Sequence, residues 1–453
     1  MSAYGLVLRR TGLPAYFWLR GYRILRYLRD YRASQWLSAR ETQHVQWQRL
    51  LNILRHAYEE IPFYRARLES VDLHPDAIES PAEFTRMPVL TRSDLQEHLQ
   101  DLITPGWPAS DLIADGTGGS TGEPVRFHFS KDSSDRRAAA AARSDQWAGW
   151  DYGERTAWLW GTGLDNLSES RVQRLRSKAY WAIRRERVFN AFAPSDDTVR
   201  QVAHALLRFR PSVIVAFATR ACEVGRFLLE SGLSGSIRPR GVITSGEALS
   251  DYQRSVIEDA FGCSVFNRYG CREFSLIAAE CERHEGLHIN CDNVYVEFVH
   301  NGEPGSRDGN AKLVVTDLTN YAMPLIRYEI GDLGKRLERA CSCGRGAPLM
   351  SVEGRTCDTV VGANGRALSG IFFGHLLKHA PGVRRFQVYQ PNASEVELRV
   401  VPRHGFADLD LEWAIGRISE ALGPGTTVMT RLVDDIPLTR SGKHRLVISC
   451  VEP

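Results

Sequence analysis

The densest run of chemically useful residues is Asp115–Pro124, read Asp-Gly-Thr-Gly-Gly-Ser-Thr-Gly-Glu-Pro, with four glycines and three hydroxyl side chains in ten positions. Glycine lets successive backbone N–H groups turn toward one point, and a row of such donors makes a concave anion site. The hydroxyls of Thr117, Ser120 and Thr121 add further donors. A triphosphate is the guest that suits this chemistry. The run is not a Walker loop, because Glu123 follows Gly122 where that motif carries Lys and then Ser or Thr. Taken alone, a Gly/Ser/Thr run is more often a surface loop than a phosphate cradle, so the rest of the chain must decide.

A second set is Cys281, His288, Cys341 and Cys343. Cys341-Ser-Cys343-Gly344 is a tight turn that can aim two thiolates at one ion, and Cys281 and His288 stand in Cys-Glu-Arg-His-Glu-Gly-Leu-His. Three thiolates and an imidazole suit a tetrahedral structural Zn2+. The spacing is looser than a paired Cys-x-x-Cys, and His284 and Cys291 are spare ligands. Unliganded thiols in a reducing cell are the alternative.

The elements that must position these groups follow from pattern. Val125–Phe129 reads as a strand, so the Gly-rich loop joins two strands. Pro211–Ala218 is a continuous apolar run, as expected of a strand buried on both faces. Strands at 158–163, 241–244 and 263–267 alternate with helices at 133–147, 195–208, 220–231 and 251–261. That alternation implies a largely parallel α/β sheet with ligand groups at the strand ends. After Ala278 the texture changes to strands with polar turns, at 294–299, 311–317 and 325–328. Beyond Gly354-Arg355 a small α+β unit is expected, with helices at 372–379 and 411–422 and strands at 385–389, 395–401 and 446–451. Upstream, 40–68 is helical and stops near Ile61-Pro62, and a short helix runs from Ser93 to Leu99.

Composition narrows the class. A chain of 453 residues exceeds what one core usually holds. With 43% hydrophobic and 25% charged residues it reads as an ordinary soluble globular protein. A net charge of +3 is too small to argue for nucleic acid. No apolar run suits a membrane span, and arginines at 9, 10, 20, 23, 26 and 29 interrupt any signal-like core. Nine cysteines in a chain this long make no disulfide scaffold, so a reducing cytoplasm is the expected setting. Residues 1–36 alternate aromatic or aliphatic residues with arginine. They read as a helical arm packed on its own domain or on a second subunit, with an amphipathic helix on an anionic membrane as the competing possibility.

Five short motifs fall in one order: Thr117-Gly-Gly-Ser-Thr-Gly-Glu-Pro, Ser245-Gly-Glu, Tyr269-Gly-Cys-Arg-Glu273, Tyr328-Glu-Ile-Gly-Asp332 with Gly354-Arg355 behind it, and Pro437-Leu-Thr-Arg-Ser-Gly-Lys443. Together they resemble the adenylate-forming (acyl-CoA synthetase and ligase) superfamily, nearest to the phenylacetate–CoA ligase branch and its capsule-biosynthesis relatives. The resemblance runs from about residue 45 to the end. It implies a large α/β unit at 45–355 with a β-rich subdomain and a small mobile α+β unit at 356–453, which leaves 1–44 as the basic aromatic helical arm.

The same resemblance implies roles. Thr117, Gly118, Gly119, Ser120, Thr121 and Gly122 would hold the ATP phosphates. Ser245, Gly246 and Glu247 would line the adenine site with backbone groups, and Tyr269-Gly270 would cover the ring through the Tyr269 side chain. Glu273 would help hold Mg2+ on the phosphates, Asp332 would accept the ribose hydroxyls, and Arg355 would assist. Lys443 would bridge the substrate carboxylate and the α-phosphate as pyrophosphate leaves. Some relatives also resemble the Cys/His set and hold zinc there. The implied reaction makes an acyl-AMP from a carboxylic acid and passes the acyl group to CoA. Transfer to an amine, or an idle nucleotide-binding relative, are the rivals. Two departures stand out: Arg272 replaces the Thr or Ser common before Glu273, and Cys357 stands where a hinge Asp is common, with Asp358 next. Side chains near 158–162, 216–219 and 245–247 would shape the acid pocket.

Overall fold

A computed structural model of the chain describes residues 3–117, 125–160, 181–190, 196–300, 303–304, 311–355, 359–377, 383–402, 409–437 and 445–451. Strands β1 (Leu112–Gly116) and β2 (Arg126–Ser130) pair antiparallel and frame the Gly-rich run. The next five strands are β3 (Thr156–Trp160), β4 (Glu186–Asn190), β5 (Val213–Ala216), β6 (Gly241–Ser245) and β7 (Val265–Cys271). They lie parallel in the order β4-β3-β5-β6-β7. All four β5 residues are buried, which is why its sequence is an unbroken apolar run.

The sheet does not end at β7. Strands β8 (Ser275–Glu280), β9 (Leu287–Ile289), β10 (Val294–His300), β11 (Glu303–Pro304), β12 (Ala311–Asp317), β13 (Tyr328–Leu337) and β14 (Leu349–Arg355) continue it antiparallel, in the order β8-β9-β14-β13-β12-β10-β11. The expected β-rich subdomain is therefore the antiparallel half of one twelve-stranded sheet. Helices Asp196–Phe209, Ala218–Glu230 and Asp251–Phe261 serve the parallel half, whose core includes Leu159, Leu206, Ile214, Val242 and Phe261.

Several expected bounds shift. The strand expected at 325–328 starts only at Tyr328 and runs to Leu337. Arg327 before it has φ 52°, and its buried guanidinium pairs with Glu297 at 3.1 Å while donating to the carbonyls of Thr85 and Met87. A residue so anchored fixes the strand's entry. The 40–68 helix is two, Ala39–Glu60 and Pro62–Glu69, broken at Ile61 (φ −116°, ψ 105°), because a residue before proline avoids the helical region.

In the C-terminal part, β15 (Thr359–Val361) pairs with β16 (Ala367–Ser369). Strands β17 (Val383–Asn392), β18 (Glu395–Pro402), β19 (Thr427–Leu432) and β20 (Val447–Ser449) form a sheet in the order β19-β18-β17-β20. Helices Gly370–Leu377 and Leu409–Leu422 cover it, around Phe373, Leu398, Ile418 and Val447. Arg385 on β17 reaches Glu223 of helix Ala218–Glu230 at 3.3 Å and Asp435 at 3.1 Å, joining the small unit to the large one.

The arm packs on its own chain. Leu8, Leu13, Phe17, Tyr27, Leu28 and Tyr31 share a core with Ala139, Trp150 and Tyr152. The Tyr31 hydroxyl donates to Asn293 at 2.6 Å, and Ser34 donates to Asp292. Among the described residues no helix is long and apolar enough to cross a membrane.

Candidate active site

The expected nucleotide groups gather at the C-terminal ends of the parallel strands, where an α/β sheet binds ligands. β6 ends at Ser245, and Gly246 turns the chain at φ +79°, a left-handed conformation that a side chain resists. Glu247 folds back and accepts from the backbone N–H of Thr219 at 3.0 Å. Its carboxylate is thereby engaged at the N-terminal turn of helix Ala218–Glu230, where the helix dipole favours negative charge. Beside it, Trp160 at the end of β3 stacks on Phe217 after β5, with ring centroids 4.1 Å apart and planes 18° apart. These two rings stand in the region expected to shape an acid pocket; residues 161–162 lie outside the described residues.

β7 carries Tyr269 and Gly270 to a tight turn into β8. A Cβ on Gly270 would sit 1.9 Å from the Ser275 carbonyl oxygen, so only glycine fits there. Across the sheet, the Tyr269 hydroxyl donates to Asp332 Oδ2 at 2.7 Å. Asp332 is on β13, and its register partner on β14 is Arg355. Two of the five motifs thus meet through Tyr269 and Asp332, although the two residues stand 63 positions apart in sequence. Nothing beyond the backbone pairing is described for Arg355.

Glu273 is buried in the β7–β8 turn. Its carbonyl oxygen accepts from Arg137 at 2.7 Å, and the same guanidinium pairs with buried Asp317 at 2.8 Å. Burial, together with the nearby Glu273 carboxylate, raises the Cys271 thiol well above its usual range and keeps it protonated. Arg272 points the other way. It pairs with Asp115 at 3.0 Å and donates to the Gly116 carbonyl at 3.0 Å, tying the turn to the base of the Gly-rich loop. The loop's neck is closed by Thr117: its N–H donates to the Val125 carbonyl at 2.9 Å, and its hydroxyl accepts from the Val125 N–H at 3.2 Å. Gly118, Gly119, Ser120, Thr121 and Gly122 lie outside the described residues, as do Lys443, Cys357 and Asp358.

Reasoning from sequence missed two participants. Arg137 had a readable signal, an arginine inside an alanine-rich helix (Lys131–Trp147). Asp115 as the partner of Arg272 had none, because that tie closes only when the β7–β8 turn meets β1.

The Cys/His set converges as expected. The donor atoms of Cys281, His288, Cys341 and Cys343 all lie within 4.8 Å of one another. Tetrahedral Zn–S bonds of about 2.3 Å put two sulfurs about 3.8 Å apart; the Cys281 and Cys341 sulfurs are 3.6 Å apart. The His288 Nδ1 lies 3.1 Å from the Ala347 carbonyl, which suits a proton on Nδ1 and leaves Nε2 facing Cys343 Sγ at 3.4 Å. Burial, with Arg345 and Arg143 nearby, lowers the imidazole pKa to about 4, so the ring is neutral and ligand-ready at pH 7. Backbone N–H groups of Arg283 and Arg345 point at the Cys281 and Cys343 sulfurs. These residues fit a metal ion. The spares do not join: His284 pairs with Glu280, and Cys291 is buried beside Asp292 with its thiol pushed up to about 12. Six positions along β8, from Ser275 next to the Arg272–Glu273 turn to Cys281, span about 20 Å. The cluster therefore sits at the far end of β8 from the Arg272–Glu273 turn, while Tyr269 lies opposite Ala278, partway along the strand.

The chain is similar to several known proteins. Residues 360–450 match the CapK C-terminal domain. Phenylacetate-coenzyme A ligase of Escherichia coli (strain K12) is 27% identical over 334 residues, 72% of this chain and 73% of that protein. Protein CapK of Staphylococcus aureus is 24% identical over 298 residues, 64% of this chain and 62% of that protein. Among solved structures, 2-hydroxyisobutyryl-CoA ligase in the postadenylation state, in complex with 2-HIB-AMP, has a TM-score of 0.74 at 23% identity. That match covers 92% of this chain and 91% of that one.

Proposed function

Because the chain is a relative of the phenylacetate–CoA ligases and of CapK, with the fold of adenylate-forming ligases, we propose that it activates a carboxylic acid with ATP and passes the acyl group to the thiol of CoA. The observation that carries the proposal is the Tyr269–Asp332 contact at the strand ends, beside the Ser245-Gly246 turn and the Arg272–Asp115 tie to the Gly-rich loop. It supports a nucleotide lying across β6, β7 and β13, with adenine against Tyr269 and ribose on Asp332.

In this reading a carboxylate oxygen attacks the α-phosphorus, a new O–P bond forms, and the bond to pyrophosphate breaks. Charge spreads over the phosphoryl oxygens, and Lys443 stabilises it as a placed cation. Residues 117–122 hold the β- and γ-phosphates by backbone N–H groups. Mg2+, when bound through Glu273, neutralises phosphate charge. The CoA thiol then attacks the acyl carbon, the C–O bond to AMP breaks, and AMP leaves. Residues 45–355 form the large unit, and 356–453 rotate between the two steps, carrying Lys443 in and out. The stacked rings of Trp160 and Phe217 favour an acid with a flat or apolar body. Zn2+ at Cys281, His288, Cys341 and Cys343 is structural, and ATP and CoA place the enzyme in the cytoplasm.

The test is exchange of labelled pyrophosphate into ATP over a panel of carboxylic acids, followed by turnover with and without CoA. Acid-dependent exchange with CoA-dependent release of AMP is the expected result. Exchange that turns over with an amine and without CoA makes it an amide-forming ligase instead. No exchange with any acid, while ATP still binds, makes it an idle nucleotide-binding relative.

A further inference from the structure

Residues 1–36 hold seven arginines and one acid, Asp30, for a net +6. The whole chain carries +3, so everything else sums to −3. The basic charge is concentrated on one segment. Ala3–Leu19 is a single helical rod, since Val7, Gly12 and Leu13 all keep helical dihedrals through the wider turn at Leu8–Gly12. Its length is about 25 Å. One side, Leu8, Leu13 and Phe17, is the buried seam that holds the arm to its domain. The other side is uncovered: Val7 is 62% exposed, Trp18 79% and Leu19 74%, with Leu6, Thr11 and Ala15 exposed between them.

The arginines divide in two. Arg9, Arg23, Arg29 and Arg32 have carboxylate partners on the protein. Arg10, Arg20 and Arg26 are exposed and have no ion-pair partner among the described residues. We propose that this uncovered face docks the protein, reversibly, on an anionic lipid surface. Trp18 and Leu19 enter the headgroup boundary, and Arg10, Arg20 and Arg26 meet lipid phosphates.

Three arguments select that occupant. Exposed guanidiniums on the same arm as an exposed Trp-Leu pair combine the two attractions that an interfacial helix uses, apolar burial and charge. A second copy bound two-fold through the same patch would set Arg10, Arg20 and Arg26 of one arm against the same three of the other, which repulsion opposes. Nucleic acid would meet the arginines but give Leu6, Val7 and Leu19 no apolar counterpart. The inference goes beyond the proposed reaction and does not depend on it.

The test is sedimentation of the full chain with vesicles of phosphatidylcholine alone or with about one-third phosphatidylglycerol. The expected result is binding to the anionic vesicles only, weakening as salt rises. Arg10→Gln/Arg20→Gln/Arg26→Gln should lower the partition roughly fivefold per charge, on the order of 100-fold together. Trp18→Ser/Leu19→Ser should lower it about tenfold or more through lost apolar burial. All five side chains are solvent-facing, so both variants should keep the wild-type melting temperature. Equal partition on the two vesicle types, or variants that sediment like wild type, would overturn the proposal. So would a Trp18-dependent dimer in light scattering, or binding of duplex DNA or polyglutamate while vesicles leave the protein in the supernatant.

Discussion

Tyr269→Phe removes one oxygen from the proposed nucleotide site and nothing else. That oxygen donates to Asp332 Oδ2 at 2.7 Å, a length typical of a hydroxyl bound to a carboxylate. Hydrogen bonds to charged groups contribute about 1.5 to 3 kcal/mol. Both side chains are half-buried, so water recovers part of the loss, and the lower end applies. About 1.4 kcal/mol is a tenfold change. Tyr269→Phe should therefore raise the ATP KM about tenfold while kcat changes little, because the ring remains to cover the adenine. Asp332→Ala should raise the KM further, since it also removes the acceptor of the ribose hydroxyls. The double variant should fall short of the sum by about 1 kcal/mol or more, because the second change removes a bond already lost. Acid-dependent pyrophosphate release, with ATP varied on the four proteins, reads all three quantities. Strictly additive effects, or losses confined to kcat with KM unmoved, would refute the claim that Tyr269 orients Asp332 for the nucleotide.

Protein purified without chelator should carry about one zinc per chain, and Cys343→Ser should lose the metal and melt at lower temperature with little change in intrinsic rate; metal analysis that finds none removes the site. Lys443→Ala should slow adenylation by a factor on the order of 10² to 10³ yet spare transfer from supplied acyl-AMP, and equal loss in both half-reactions would reject the two-pose assignment. Arg327→Met leaves Glu297 buried without its partner and should cost about 3 to 5 kcal/mol in urea unfolding; a cost below about 1 kcal/mol, the range of exposed pairs, would mean that water already reaches the pair.

Where pattern and capping agree, the chain is legible. Helix Asp251–Phe261 is bounded by a capping box at Ser250 and Gln253, and strand Ala311–Asp317 lies in the apolar antiparallel half; both match their expected ends. β4 was not foreseen, because Glu-Arg-Val-Phe-Asn at a sheet edge shows no alternation. β19 was missed for a similar reason: as an edge strand it is largely exposed, so nothing forces an apolar face. The sequence marks β14 only as a boundary near Gly354, yet it is the strand that brings Arg355 opposite Asp332. The metal set was legible as four residue types. That they converge depends on β9 pairing with β14, a contact between residues about 60 positions apart. The same limit hid the Arg272–Asp115 tie, which closes only when the β7–β8 turn meets the end of β1. Residue chemistry announces candidates, and non-local strand pairing decides which of them meet.

The most direct test of the proposed chemistry follows an oxygen atom. The acid that best supports pyrophosphate exchange is prepared with both carboxylate oxygens as ¹⁸O and turned over with ATP and CoA. If a carboxylate oxygen attacks the α-phosphorus and thiolysis later breaks the acyl C–O bond, each AMP must leave with one ¹⁸O and the acyl-CoA must keep the other. Mass spectrometry of the AMP reads the result. Label appearing in inorganic phosphate, with ADP as the nucleotide product, or AMP free of label, would contradict an acyl-adenylate intermediate in this enzyme.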